Sequence, residues 1–172
     1  MLSIKFEKCL FWSLIFLMIL LLSAYHFFPL NYNQEINSIS QEMKIDPSFI
    51  AAVIKLESNF NEIALSHSGA FGLMQLMPDT ANWLAEQLFI QGSWRDPINN
   101  IKLGAFYLQK LQTDFNQDVH HALNAYHMGP TRLKEVLASN ENFKKTNYTK
   151  RIKLYHLAYR ILYDGFFIYQ GE

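Results

Sequence analysis

Residues 46–60 read DPSFIAAVIKLESNF, and this stretch decides the fold class. Asp46 followed by Pro47 marks a helix start, because an aspartate side chain accepts from the first free backbone N–H groups and proline at the first helical position sacrifices no bond. Phe49, Val53, Leu56 and Phe60 then recur at i, i+4, i+7 and i+11, the spacing of one helical face. The pattern predicts a helix over about 47–58 with Glu57 at its C-terminal end, four residues after Val53 and seven after Ile50. A carboxyl in that place stands beside an apolar stripe. Burial and the negative end of the helix dipole both favour its protonated form. Glu57 therefore reads either as an acid poised to donate a proton or as a solvated helix terminus.

Working outward, the same grammar repeats. Pro78 opens a helix through Leu88, and Asp96 with Pro97 caps another carrying Ile101, Ala105, Leu108 and Leu111. Val119, Ala122, Leu123 and Tyr126 give a fourth face, closed by Gly129 and Pro130. A shorter helix follows around Leu133, Val136 and Leu137, and a last one carries Tyr148, Ile152, Tyr155, Tyr159 and Leu162. Strand signals are weak, with at most a short hairpin near Ser66 to Gln75. The expectation is an all-α domain over residues 31–172.

The N-terminus has a different composition. Lys5 and Lys8 precede an apolar run from Leu10 to Ala24, interrupted only by Ser13 and Ser23, and continuing to Leu30 brings it to bilayer length, roughly 20 residues. Residues 1–30 are expected to form a cytoplasmic stub and an uncleaved, single-pass anchor in the cytoplasmic (inner) membrane. No lysine or arginine follows the run until Lys44, which places the domain outside the cytoplasm. The single cysteine, Cys9, precedes the apolar run and excludes an intramolecular disulfide. With 15 basic and 15 acidic residues in 172, the charge excess expected of a nucleic-acid binder is absent.

Two further segments carry candidate chemistry. Residues 66–78 read SHSGAFGLMQLMP, where Gln75 is a lone amide among Leu73, Met74, Leu76 and Met77. Such a residue reads as a buried hydrogen-bonder, and a methionine-rich stretch as core or as ligand site. Residues 124–130 read NAYHMGP, in which Tyr126 continues a helical face and is equally core or the hydroxyl that orients an acid.

Glu57-Ser58, SHSGAFGLMQLMP, DPINN with the following GAFYL, NAYHMGP and NYTKRI together resemble, in order and spacing, the catalytic domain of lytic transglycosylases of the soluble type. That family belongs to the lysozyme-like superfamily, itself of the α+β kind, with goose-type lysozyme. The resemblance covers residues 35–163 and implies a compact, helical, lysozyme-like fold that acts on peptidoglycan glycan strands in the periplasm. It implies Glu57 as catalytic acid and base, and Ser58, Ser66, Met74, Gln75, Asn124 and Tyr126 as substrate-binding residues. By the resemblance, Met74 and Gln75 line sugar subsites and the Tyr126 hydroxyl lies close to the catalytic carboxyl. Ser66 either positions substrate or stabilises its own turn. His127 and Met128 stand where the family commonly has asparagine and alanine, and Thr131 where it has glycine. His127 reads as a packed or surface histidine, His120 and His121 as part of a helix start, and Asp96 as a cap.

Most glycosidases use two carboxylates. Here only one candidate stands out, and the resemblance implies a non-hydrolytic cleavage of the MurNAc–GlcNAc β-1,4 bond to 1,6-anhydroMurNAc ends, without metal or cofactor. A goose-type-like muramidase that admits water and a catalytically silent wall-binding module are the alternatives. No protein partner is legible.

Overall fold

A computed structural model describes residues 2–139 and 146–168. Residues 140–145 and 169–172, inside the span expected to be the domain, lie outside the described residues. The chain divides into two units, Met1–Leu30 and Asn31–Glu172. The first is a helix, α1 (Leu2–Phe27), whose segment Phe6–Phe27 has mean hydropathy 2.0 and is long and apolar enough to cross a membrane.

The second unit is helical among its described residues: α2 (Asn33–Met43), α3 (Pro47–Glu57), α4 (Pro78–Gln87), α5 (Pro97–Asp114), α6 (Val119–Met128), α7 (Pro130–Ala138) and α8 (Asn147–Ile168). The hairpin expected near Ser66 reduces to two isolated antiparallel bridges, Leu65 to Phe71 and Phe71 to Leu76. Helix α2 was not anticipated. It buries Ile36, Ile39, Ser40 and Met43 at i, i+3, i+4 and i+7, but two of its asparagines and two serines, poor helix formers, masked that face.

Helix α3 is the centre of the domain. The spacing predicted one buried stripe, whereas every residue from Ser48 to Lys55 is buried. Helices α2 and α8 pack against it, so the helix has no solvent-facing side over most of its length. Each fully buried Ile50, Val53 or Ile54 contributes about 1.5–3 kcal/mol of apolar burial. The Asp46 cap accepts from Ser48 N at 2.8 Å through Oδ1, and its Oδ2 lies 2.8 Å from His156 Nε2 on α8. One side chain thus starts α3 and ties it to the last helix. Leu56 is only half-buried, and Phe60 lies beyond the helix with φ of 61°. Helix α5 joins α2, α4 and α6, and α6 packs on α7 and α8.

Candidate active site

Because α3 is enclosed, its last residue emerges at the edge of the core. Glu57 is half-buried, and its Oε1 accepts a hydrogen bond of 2.5 Å from the Tyr148 hydroxyl on α8. Burial pushes the Glu57 carboxyl above the usual carboxylate range, and the bond from Tyr148 pulls it partly back. Burial and the neighbouring Glu57 charge push the phenols of Tyr126 and Tyr148 far up, so both remain donors at any ordinary pH.

The loop between α3 and α4 is fastened from three sides. Ser58 donates to Leu73 O at 2.8 Å and to Ile54 O at 3.2 Å, joining the helix end to the loop. Asn100, buried on α5, accepts from Met74 N at 2.8 Å and donates from Nδ2 to Phe71 O at 3.2 Å. Tyr126 on α6 donates to Met74 O at 2.7 Å. Close approach requires glycine twice: a Cβ on Gly72, whose φ is 85°, would lie 2.7 Å from Asn100 Nδ2, and one on Gly104 would lie 2.7 Å from Met74 Cβ.

Beside this loop is a cleft of about 240 Å³ whose lining includes Gln75, Thr80, Tyr107, Tyr126, His127 and Met128. Gln75, with φ of 48°, donates from Nε2 to Ala64 O and Gly72 O, both at 3.0 Å. The rings of Tyr107 and Tyr126 are 5.4 Å apart. The ring of His127 stacks on Tyr148 at 4.3 Å and 15°, which links the cleft to the residue holding Glu57. Desolvation of that ring keeps His127 below the usual imidazole range.

Two of the expected substrate-binding residues have their side chains inside the domain. Met74 is fully buried with its thioether packed under Gly104, so its backbone, not its side chain, serves the loop. Asn124 is also fully buried; it donates to His120 O at 2.7 Å and accepts from Thr146 Oγ1 at 2.8 Å, closing α6 onto the start of α8. The Tyr126 phenol, expected close to the Glu57 carboxyl, feels its charge but is not its hydrogen-bond partner. The Tyr126 hydroxyl is committed to Met74 O, and the hydroxyl on Glu57 belongs to Tyr148. Ser66 Oγ accepts from Ala70 N at 2.9 Å, a turn-stabilising bond. Asp96 accepts from Ile98 N at 3.0 Å and Asn99 N at 3.2 Å as a cap. Tyr148 was expected only as a face residue of the last helix and Asn100 was not singled out, although both fall inside the quoted NYTKRI and DPINN stretches; an amide at a buried position of α5 was the available signal for Asn100.

The fold and the enclosed acid-bearing helix define a lysozyme-like helical domain. The chain belongs to the transglycosylase SLT domain family, whose model matches residues 34–149. It is 32% identical over 151 residues to a putative soluble lytic murein transglycosylase of Haemophilus influenzae, covering 78% of this chain and 26% of that protein. Among solved structures it is similar to the 70 kDa soluble lytic transglycosylase of Escherichia coli, with TM-score 0.72, 28% identity, and coverage of 80% of this chain and 25% of that one. It is also similar to an inactive glutamate-to-glutamine mutant of the lytic transglycosylase Slt from Pseudomonas aeruginosa, with TM-score 0.70, 28% identity, and coverage of 81% and 25%. The chain thus spans about a quarter of the length of these relatives.

Proposed function

We propose that the chain is a membrane-anchored lytic murein transglycosylase in which Glu57 is the sole acid and base. The observation that carries this reading is the Glu57 carboxyl, half-buried, pushed above the usual carboxylate range by desolvation and fixed by Tyr148 at 2.5 Å. Burial favours the acid form needed to protonate a glycosidic oxygen, while the Tyr148 donor is in place to stabilise the carboxylate left behind. The N-acetyl group of the muramoyl sugar stabilises the oxocarbenium-like centre. Glu57, now ionised, removes the proton from the sugar's C6 hydroxyl, whose oxygen bonds to the anomeric carbon and closes the 1,6-anhydro ring. The proton gained equals the proton given, so no water is consumed.

The aromatic wall of Tyr107 and Tyr126 and the amide of Gln75 suit the apolar faces and polar edges of successive sugars. Ser66, whose hydroxyl proton remains available, and Ser58 border the same loop. Asp96, engaged as a cap, is not the acid of a two-carboxylate mechanism in this reading. The related Slt protein whose inactive form carries one glutamate-to-glutamine change is in keeping with a single essential acid. Helix α1 is read as the anchor that leaves the domain, residues 31–172, on the periplasmic side. Mass spectrometry of digested sacculi is the test: anhydro ends support the reading, and reducing ends would replace it with hydrolysis.

A further inference from the structure

Helix α8 has two apolar faces. Tyr148, Ile152, Tyr159 and Tyr163 are buried on the inner one. At 3.6 residues per turn, Lys150, Leu154, Leu157 and Ile161 follow at i, i+4, i+7 and i+11 on the opposite side. Leu154 is 62% exposed, Leu157 56% and Ile161 74%. Among the described residues of the domain, no other helix leaves three large apolar side chains exposed in register. The same helix carries Lys150, Arg151, Lys153 and Arg160 against one acidic residue, Asp164, although the whole chain is neutral.

We infer that the outer face of α8 docks on an anionic membrane surface. An aliphatic stripe set among basic residues matches the interfacial layer of a bilayer, with the side chains in the headgroup boundary and the cations at lipid phosphates. A protein partner or a second copy fits poorly, since three side chains fall far short of the roughly 1,200 Å² that a stable interface buries. The inference rests on α1 being a membrane anchor. Only the segment from Phe28 to Tyr32 joins α1 to α2, a reach of at most about 20 Å, so even a weak surface affinity is enough for a tethered domain. Docking has a consequence for the proposed reaction. Tyr148, which holds Glu57, is on the inner face of α8, so the helix seated on lipid leaves the carboxyl on the side away from the membrane.

The test uses the full chain with Cys9→Ser, reconstituted in vesicles of phosphatidylglycerol and phosphatidylethanolamine containing a quencher lipid. A polarity-sensitive label is placed at Leu157→Cys or, as control, at exposed Gln87→Cys on α4. Quenching roughly twofold or more stronger at 157 than at 87 is expected. In a Lys150→Glu/Arg160→Glu background the docked fraction should fall roughly tenfold. Equal quenching at the two sites, quenching unchanged by charge reversal or by phosphatidylcholine alone, or a signal that depends on protein density overturns the inference. Retention on vesicles through an alkaline wash reports the anchor separately: retained chain with equal quenching rejects docking alone, and chain lost in the wash rejects the anchor and docking together.

Discussion

The Tyr148 hydroxyl donates to Glu57 Oε1 at 2.5 Å across 91 residues of sequence, joining the last turn of α3 to the first turn of α8. The bond opposes burial: it favours the carboxylate, while desolvation favours the acid and prevails. The proposed reaction, in which the acid gives one proton to the leaving oxygen and takes another from the C6 hydroxyl, needs both influences.

Replacing Glu57 by glutamine keeps the shape and removes the proton. Release of muropeptides from purified sacculi should fall by about 10²–10⁴-fold. The sign of the stability change follows from the raised carboxyl. A folded pKa above the unfolded one adds stability in acid, which is lost as the pH rises through the folded value. Glu57→Gln should therefore unfold at a somewhat higher temperature than the native chain at pH 7, with the gain absent below about pH 4. Calorimetry across that range checks it.

Tyr148→Phe deletes the donor and leaves the ring against His127. A hydrogen bond to a charged group contributes about 1.5–3 kcal/mol, so the turnover number should drop on the order of tenfold to a hundredfold. With desolvation unopposed, the Glu57 carboxyl rises further. The limb of the pH–rate profile on which the acid must be protonated should move to higher pH, a displacement that loss of packing alone would not produce.

Asn100→Ala strands Met74 N inside the domain and removes one of two donors to Phe71 O, which keeps its bond from Leu76 N. An unpaired buried N–H costs about 1–3 kcal/mol, and a loss of about that size in urea unfolding is expected. The loop that presents Gln75 should loosen with it, and its amide protons should exchange faster.

At Asp46, burial pushes the carboxyl up, but the hydrogen bond and charge of His156 with the Ser48 and Phe49 N–H groups hold it below its ordinary value. A lowered folded pKa adds stability above the unfolded value of about 3.9, and this is lost as the pH falls through the folded one. Asp46→Ala should cost about 1 kcal/mol at pH 7 through the lost cap, a difference that shrinks in acid. Thermal melts at pH 7 and pH 3 measure it.

Most of the helices were legible because their starts are written in local chemistry. Asp46-Pro47, Asp96-Pro97 and Pro78 each open a helix where the pattern predicted it. The missed α2 has its apolar positions diluted by Asn and Ser, and only packing against α3 and α5 makes that face count. At the site, Glu57 was legible as an acid beside an apolar stripe, whereas its hydroxyl partner was not. Tyr126 and Tyr148 are both aromatic residues on helical faces, and nothing within either segment tells which phenol reaches the carboxyl.

What the sequence determined by itself is the set of short-range choices: which residues cap, where the apolar stripes of most helices fall, and that an acid ends the stripe of α3. Tertiary structure alone decided that Met74 and Asn124 are enclosed, that Asn100 and Tyr126 clasp the Met74 backbone, and that Tyr148 meets Glu57. The reason is physical. Capping and periodicity act within one or two turns of chain, but desolvation and a hydrogen bond between residues 57 and 148 exist only once α3 and α8 have packed.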